Sequence, residues 1–311
     1  MTLKTLILLF IITVSSFTIC AVTNQVNHSV IIIGKKNLTI SGLNIVNGNI
    51  TIINSSNIVI ENNMIYNSIY FGIFVYNSTN ITIEHNVISN SYYDGISIRK
   101  SSSVIIKYNI ISNDTNGNGI SIWDNSKNVI ISNNLLSNDD YGIFILMSSI
   151  VNIYNNTLFK IYYYGIYLYQ VSDIKVLNNS ISFSDVGIET EYGNIILILS
   201  NIIKYDLVGV YIGDGLENFS LINNIIQNSR FFGILIKYYP EEFEYEENSF
   251  LNNTANLFYE YNSTLPKQQV IGAVPPTTTS EEINRTNYLY YFLVIVPVSL
   301  IIAYLLRRRR K

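Results

Sequence analysis

The sequence predicts an all-β protein, a right-handed single-stranded parallel β-helix of about nine to ten coils, followed by one C-terminal transmembrane helix. Three observations carry this expectation. A glycine-marked repeat recurs about every 23 residues, an asparagine closes each repeat, and a charge-free apolar run ends in a basic tail.

The repeat begins with glycine followed by apolar–x–apolar, at Gly72, Gly95, Gly119, Gly142, Gly165, Gly187, Gly209 and Gly233, spaced 22 to 24 residues apart. The apolar pairs run from Ile73/Val75 and Ile96/Ile98 to Val210/Ile212 and Ile234/Ile236, with one polar exception at Ile188/Thr190. The residue between each pair varies freely (Phe74, Ser97, Ser121, Phe144, Tyr167, Glu189, Tyr211, Leu235). Alternation of period two with one constant face marks a β-strand buried on one side. A second strand follows, with pairs from Ile58/Ile60 and Ile81/Ile83 to Phe219/Leu221 and Phe243/Tyr245.

Each unit then closes with an asparagine: Asn63, Asn86, Asn109, Asn134, Asn156, Asn179, Asn201, Asn224 and Asn248. Another apolar position recurs two residues later, from Ile65 and Ile88 to Ile226 and Phe250, which makes a third strand. A period in the low twenties with no helix pattern points to a solenoid. Leucine-rich repeats share the period but need leucine at the consensus positions, whereas β-branched residues dominate here, as they do in strands. Coils stacked about 4.8 Å apart place each column's isoleucines over one another in a rod roughly 45 Å long. Asparagine suits such corners because it tolerates left-handed backbone angles and hydrogen-bonds along a stack.

The two ends read as targeting segments. Met1 to Lys4, the apolar run from Leu6 to Val14 and the small Ser15 and Ser16 have the three parts of a secretory signal peptide, with cleavage expected near Cys20–Thr23. Tyr288 to Leu306 is apolar and uncharged, about 28 Å long as a helix, enough to cross a hydrocarbon core of roughly 30 Å. Arg307 to Lys311 is basic and belongs in the cytoplasm. The expected organisation is a leader (1–23), a β-helix ectodomain (24–253), a Thr/Pro-containing stalk (254–287), a membrane helix (288–306) and a cytoplasmic tail (307–311).

Composition narrows the function. Only 13% of residues are charged, against about 25% in ordinary domains, so Asn, Ser, Thr and Tyr must fill the surface. A net charge of −3 gives no case for nucleic acid as partner. The one cysteine lies in the leader and there are two histidines, so disulfides, a thiol nucleophile and a multi-histidine metal site are excluded from the mature chain, and no cofactor is expected.

Units such as Asn80-Ile-Thr-Ile-Glu-His-Asn-Val-Ile-Ser-Asn90, and the unit from Gly119 to Asn134, resemble the parallel β-helix repeats of the pectate-lyase-like superfamily, and most closely its NosD-type branch. The resemblance covers about Asn37 to Asn253, all at core and corner positions. It implies the fold, and catalysis, where present, on the outward face of one sheet. The polygalacturonase pattern of several aspartates, His-Gly and Arg-x-Lys is missing: Asp139-Asp140 is the only adjacent aspartate pair and no His-Gly exists. The copper-delivery role of the NosD-type branch needs soft or imidazole ligands that the mature chain lacks.

Two sets of candidate residues remain. Asp114 and Asp139 occupy one column in neighbouring coils, roughly 5 Å apart, and form a candidate calcium or acid–base pair that Asp94 and Asp140 could join. Aspartate at a corner also serves simply to satisfy the turn. His85 reads as an unpaired surface histidine. A tyrosine stripe before the glycines, comprising Tyr92, Tyr93, Tyr141, Tyr162, Tyr163 and Tyr164 with Tyr167, offers flat faces for glycan contact, although tyrosine is also a good strand residue. Sequons are dense, and Asn27, Asn77, Asn113, Asn262 and Asn284 are the candidate glycosylation sites. With the low charge and basic tail, they suggest an archaeal surface protein.

The expectation is a membrane-anchored cell-surface protein, non-catalytic, serving adhesion, envelope structure or carbohydrate binding, with surface polysaccharide or envelope components as partners. The alternative is an extracellular polysaccharide lyase or glycoside hydrolase using Asp94, Asp114, Asp139 and Asp140.

Overall fold

A computed structural model of the chain describes residues 17–20, 25–26, 28–114 and 116–260. They wind into an all-β, right-handed parallel solenoid of about ten turns. Each turn contributes one strand to each of three parallel ladders. In the first, Ile73 stacks on Ile96, Ile96 on Ile120, Ile120 on Ile143 and Ile143 on Ile166, so the glycine-based register is the hydrogen-bonding register. The second stacks Ile58, Ile81 and Val104, and the third Ile65, Ile88, Ile111 and Leu136. Tyr164–Leu177 and Val186–Leu199 run unbroken through the corner between the first two ladders and fuse them into one sheet.

The core is what period-two patterning dictates. Ile120, Ile122, Val129, Ile131 and Leu136 of one turn are fully buried, as are their counterparts above and below. Thr190 stands where the other turns place Val, Ile or Leu, and it too is fully buried, its hydroxyl without a partner. The marker glycines have a steric cause rather than a conformational one. A Cβ on Gly142 would lie 2.6 Å from the carbonyl oxygen of Gly165 and 2.5 Å from a methyl of Leu158, so the turns stack this closely only where no side chain exists.

Each corner carries its own column of polar side chains. At the second corner, the main-chain N–H and Nδ2 of Asn86 both donate to Oδ1 of Asn109, at 3.0 Å each, while Nδ2 also donates to the carbonyls of Ile60 and Glu84. The pattern repeats through Asn109, Asn134, Asn156, Asn179 and Asn201. Leu43 stands in place of asparagine at the start and donates its N–H to Oδ1 of Asn63. At the first corner a serine ladder does the same work: the N–H of Ser55, Ser78 and Ser101 donate to the hydroxyls of Ser78, Ser101 and Ser126. The sequence reading did not anticipate this ladder.

One expectation needs correcting in its cause. The left-handed backbone angles fall not on the ladder asparagines but on the residue before each, including Asn62, His85, Tyr108, Asn133 and Ser200. Further left-handed columns occupy the other corners, which is where much of the asparagine goes. The ladder position demands asparagine for its amide, and the neighbouring columns favour it for its backbone.

The boundaries also differ in detail. The register reaches above Gly72 through Ile50 to Val30, with a turn of 20 residues between them. Phe17–Cys20, placed in the leader above, pairs with Lys36–Ser41, and Ala255–Tyr259, placed in the stalk, pairs with Phe232–Ile236. No helix among the described residues is long and apolar enough to cross a membrane. The expected span from Tyr288 to Leu306 and the basic tail lie outside the described residues.

Two β-branched residues break the rule of the left-handed columns. Ile150 and Ile195 hold φ of 56° and 58°, in the column where Asn128 and Asn218 stand in adjoining turns, and both are exposed. A side chain with a Cβ pays about 1–2 kcal/mol for this conformation, and asparagine tolerates it best. Ile195→Asn should therefore raise the melting temperature by about 2–4 °C for each kcal/mol recovered. A lower melting temperature in a thermal scan would show that the strain is not there.

Candidate functional site

Three outward columns share the face of the first ladder. Along the rod they carry Phe71, Asp94, Asn118, Tyr141 and Tyr164; then Phe74, Ser97, Ser121, Phe144, Tyr167, Glu189 and Tyr211; then Tyr76, Arg99, Trp123, Leu146, Tyr169 and Glu191. Strand geometry aims all of them away from the core. The face divides into three zones.

The middle zone is aromatic. Tyr141 stacks on Tyr164 at 5.1 Å and meets Phe144 edge-on at 5.4 Å, Phe144 stacks on Tyr167 at 5.3 Å, and Tyr167 stacks on Tyr169 at 6.2 Å. Burial raises the phenol pKa of Tyr141, Tyr164 and Tyr167, and the carboxylate of Glu189 adds to it, so all three stay neutral. The result is a continuous floor of uncharged rings.

One end is cationic. The Arg99 guanidinium lies over Phe71, Phe74 and Trp123, with centroid distances of 5.5, 5.8 and 5.0 Å. Its Nε and the Nε1 of Trp123 are buried without hydrogen-bond partners. Beside it, Asp94 accepts from the N–H and Nδ2 of Asn118 at 3.1 and 2.7 Å and from the Ser121 hydroxyl at 2.5 Å. Burial raises the Asp94 pKa while these hydrogen bonds act against the rise.

The opposite end is acidic. Glu189 and Glu191 project from one strand, two residues apart and so roughly 6.6 Å between Cα atoms. Burial holds Glu189 well above the usual carboxylate range, Glu191 adds to that, and the hydrogen bond from Tyr164 opposes it. Burial also raises Glu191, which accepts a hydrogen bond from Tyr167. Gly213 leaves the space in which the Glu191 side chain lies, and Lys237 pairs with Asp214 at 3.1 Å close by. Sequence reasoning missed this group because Glu189 sits at a freely varying position. The polar Thr190 in a core column was the one local signal.

The aspartates proposed from sequence divide differently. Asp114 and Asp139 do share a column, but it is the third corner's internal one and both are fully buried. Oδ1 of Asp114 accepts the Ser91 N–H at 2.6 Å and Oδ1 of Asp139 accepts the Asp114 N–H at 3.0 Å, while each Oδ2 has no partner. In this conformation the pair presents no oxygen to solvent and serves the turn. Asp206 repeats the arrangement with the Ser184 N–H. Asp94 faces outward and Asp114 lies beneath Gly95, near enough that the charge of Asp94 adds to the rise at Asp114. Asp140 is half-buried, and that burial pushes its pKa to about 6. No group of three or more His, Cys, Asp or Glu able to hold a metal occurs among the described residues.

Of the tyrosines, Tyr141, Tyr164 and Tyr167 form the floor. Tyr163 reaches Tyr141 at 6.0 Å from the adjoining corner, and Tyr162 is exposed beside it. Tyr92 and Tyr93 contact each other at 4.9 Å and belong with Tyr70 and Phe71 at the cationic end. His85 stacks on Tyr108 at 5.0 Å. Asn77 is exposed and Asn113 half-buried, whereas Asn27, Asn262 and Asn284 lie outside the described residues.

The buried carboxyls give a pH dependence of definite sign. Burial, reinforced by each other's charge or a neighbour's, raises Asp114 and Asp139 well above the unfolded value near about 3.9. The folded state thus binds more protons, so their contribution is intact below about pH 4 and is lost as pH climbs toward the folded pKa values. Melting temperature should fall between pH 4 and pH 7. The double variant Asp114→Asn/Asp139→Asn should flatten that fall, since Asn253 in the same column donates Nδ2 to the Ile226 carbonyl at 2.9 Å. An unchanged slope would mean that other groups set it.

The family model described as "Right handed beta helix region" matches residues 9–158 and 141–272. Among solved structures, the A-module of a mannuronan C-5 epimerase from Azotobacter vinelandii superposes with a TM-score of 0.61 at 16% identity, over 69% of this chain and 64% of the module. The aligned region thus spans less than two thirds of that module. An alginate lyase from Paenibacillus sp. gives 0.59 at 11% identity, over 75% of this chain and 98% of the lyase. A surface adhesin of Streptococcus pneumoniae gives 0.53 at 15%, over 79% and 74%. At these identities the likeness concerns the fold alone. No curated protein matches the sequence.

Proposed function

The chain belongs to the right-handed β-helix family, and from that premise we propose that it is an exported, membrane-tethered surface protein that binds polysaccharide along the outward face of its first ladder. The observation that carries this reading is the aromatic floor of Tyr141, Phe144, Tyr164 and Tyr167, flat, uncharged and repeated at the coil spacing. Weak contacts repeated along one polymer add through effective concentration. The partners in this reading are surface polysaccharide or other envelope components, with no nucleic acid. The kinship to NosD-type repeats rests on core and corner residues and brings no role in copper delivery.

Localisation follows from the ends of the sequence. The apolar run from Leu6 to Val14 directs export, the Thr/Pro-containing segment after the last rung at Tyr259 forms a stalk, and Tyr288 to Leu306 hold the protein in the membrane with Arg307 to Lys311 inside. Deleting 288–311 should release the protein to the medium. A tag after Lys311 that proteases cut in intact cells would overturn this topology.

A second reading, an enzyme acting on the same polymer, is favoured by one observation. Glu189 and Glu191 stand together on one strand beside the floor, both with pKa raised by burial, and glycosidic acid–base chemistry uses a pair of carboxyls flanking the scissile bond.

One assay addresses both readings. Full-length Tyr164→Leu/Tyr167→Leu should lose at least about tenfold in retention on immobilised polysaccharide, because leucine keeps the packing but not the flat ring. Unchanged retention across a panel of polymers would remove the binding reading. Reducing ends that accumulate with the parent and vanish with Glu189→Gln would favour the enzyme.

A further inference from the structure

The cationic end of the face is built as more than a packing solution. Arg99 is clamped by three rings, and among the described residues no carboxylate pairs with it. Rings on the guanidinium faces fix its plane and desolvate its stem while leaving the in-plane edge of Nη groups as the remaining direction for hydrogen bonds. At the corner that follows Arg99 and Trp123 in the chain lies an open hollow of about 270 Å³ lined by Lys100, Ser101, Ser102, Asp124, Asn125 and Lys127. Lys100 rests against Tyr76, with Nζ 3.4 Å from the phenol oxygen, and Lys127 is exposed. The lining of the hollow thus sets two cations, Lys100 and Lys127, against one carboxylate, Asp124, while Asp94 on the Arg99 side is taken up by Asn118 and Ser121. Trp123 is paired with Arg99 in the strand register and is the only tryptophan of the chain.

We propose that Arg99, Lys100, Lys127 and Trp123 form a subsite for an acidic substituent of the bound glycan, a carboxylate or sulfate on a sugar whose ring packs against Trp123. This deepens the polysaccharide-binding reading and rests on it. A planar fork held in place binds a two-oxygen anion edge with both Nη groups, which a neutral hydroxyl does not match. The lysines raise the local potential, and among the described residues neither is paired with a carboxylate. The other end of the face decides what kind of polymer fits. Glu189 and Glu191 lie four turns from Arg99, about 19 Å away at 4.8 Å per turn. A uniformly anionic chain long enough to cross the floor would set its charge against two carboxyls that are themselves held out of water, where burial already disfavours negative charge. The ligand is thus a largely neutral glycan carrying an acidic group at one position, seated with that group at Arg99.

Trp123 fluorescence of the full-length protein reports on this subsite alone. The probes are sodium glucuronate, its uncharged isostere glucuronamide, and inorganic sulfate. Glucuronate should change the emission saturably, with an apparent affinity at least about tenfold above glucuronamide, a difference of about 1.4 kcal/mol. Competition by sulfate assigns the preference to anionic oxygens in general, and its failure assigns it to the carboxylate-bearing sugar. Arg99→Gln should reduce the glucuronate response to the level of glucuronamide. Because Arg99→Gln disturbs the ring cage, Lys127→Gln, at an exposed position, provides a second test and should weaken glucuronate about threefold without moving the melting temperature. Equal responses to glucuronate and glucuronamide, or an Arg99→Gln variant that binds like the parent, would overturn the subsite. Retention on neutral polysaccharide that depends on Tyr164 and Tyr167 would then still support the broader reading. Loss of that retention alongside an Arg99-dependent glucuronate response would retain the subsite and remove the floor.

Discussion

The structure depends on one requirement, the satisfaction of main-chain N–H and carbonyl groups at the corners of a coil. Along the strands these groups pair with the turns above and below. At a corner the chain bends away, and an unpaired buried N–H or carbonyl costs about 1–3 kcal/mol. With three corners per turn and about ten turns, that cost would exceed the stability of any domain. The side chains of the next turn remove it. Serine serves the first corner, asparagine the second, and serine, aspartate or asparagine the third. Asparagine is uniquely suited to the middle column because its amide accepts from the turn before while donating both to the turn after and to a carbonyl.

This requirement sorts the polar residues into those that hold the rod and those left over for a ligand. Asp114 and Asp139 are absorbed by the third corner, where their Oδ1 atoms accept a main-chain N–H as the Oδ1 of Asn253 does. The outward face of the first ladder has no such duty. It carries rings at its centre, a caged arginine at one end and two glutamates at the other, with no core or corner function that demands them. A face so free to vary, yet so ordered in polarity, is the reason the proposed polysaccharide site is placed there.

The fold was legible because its determinants repeat: the glycines from Gly72 to Gly233 and the asparagines from Asn63 to Asn248 mark the register directly. The shared column of Asp114 and Asp139 could be read by counting from the asparagines. Its burial could not, since counting places a residue along a corner without saying whether the corner turns it inward. The face was the least legible part. Arg99, Trp123, Phe71 and Phe74 stand up to 52 residues apart in the chain and meet only across the stack. Glu189 looked like one tolerated variation among eight. A missing glycine and a shorter turn likewise concealed the rungs at Val30 and Ile50.

The turns differ in length, from 20 residues near the start to 25 in the middle, yet every one advances the strands by a single rung. Extra residues are spent sideways, in corner excursions such as that around Asp124 and Asn125, and never along the axis. The molecule is therefore a ruler graduated in units of one strand spacing. A residue added at or removed from a corner would reshape its edge while the distance from the arginine mark to the glutamate mark stays constant. In the proposed binding mode that fixed distance is a measurement, to be compared with the spacing of groups on the polymer.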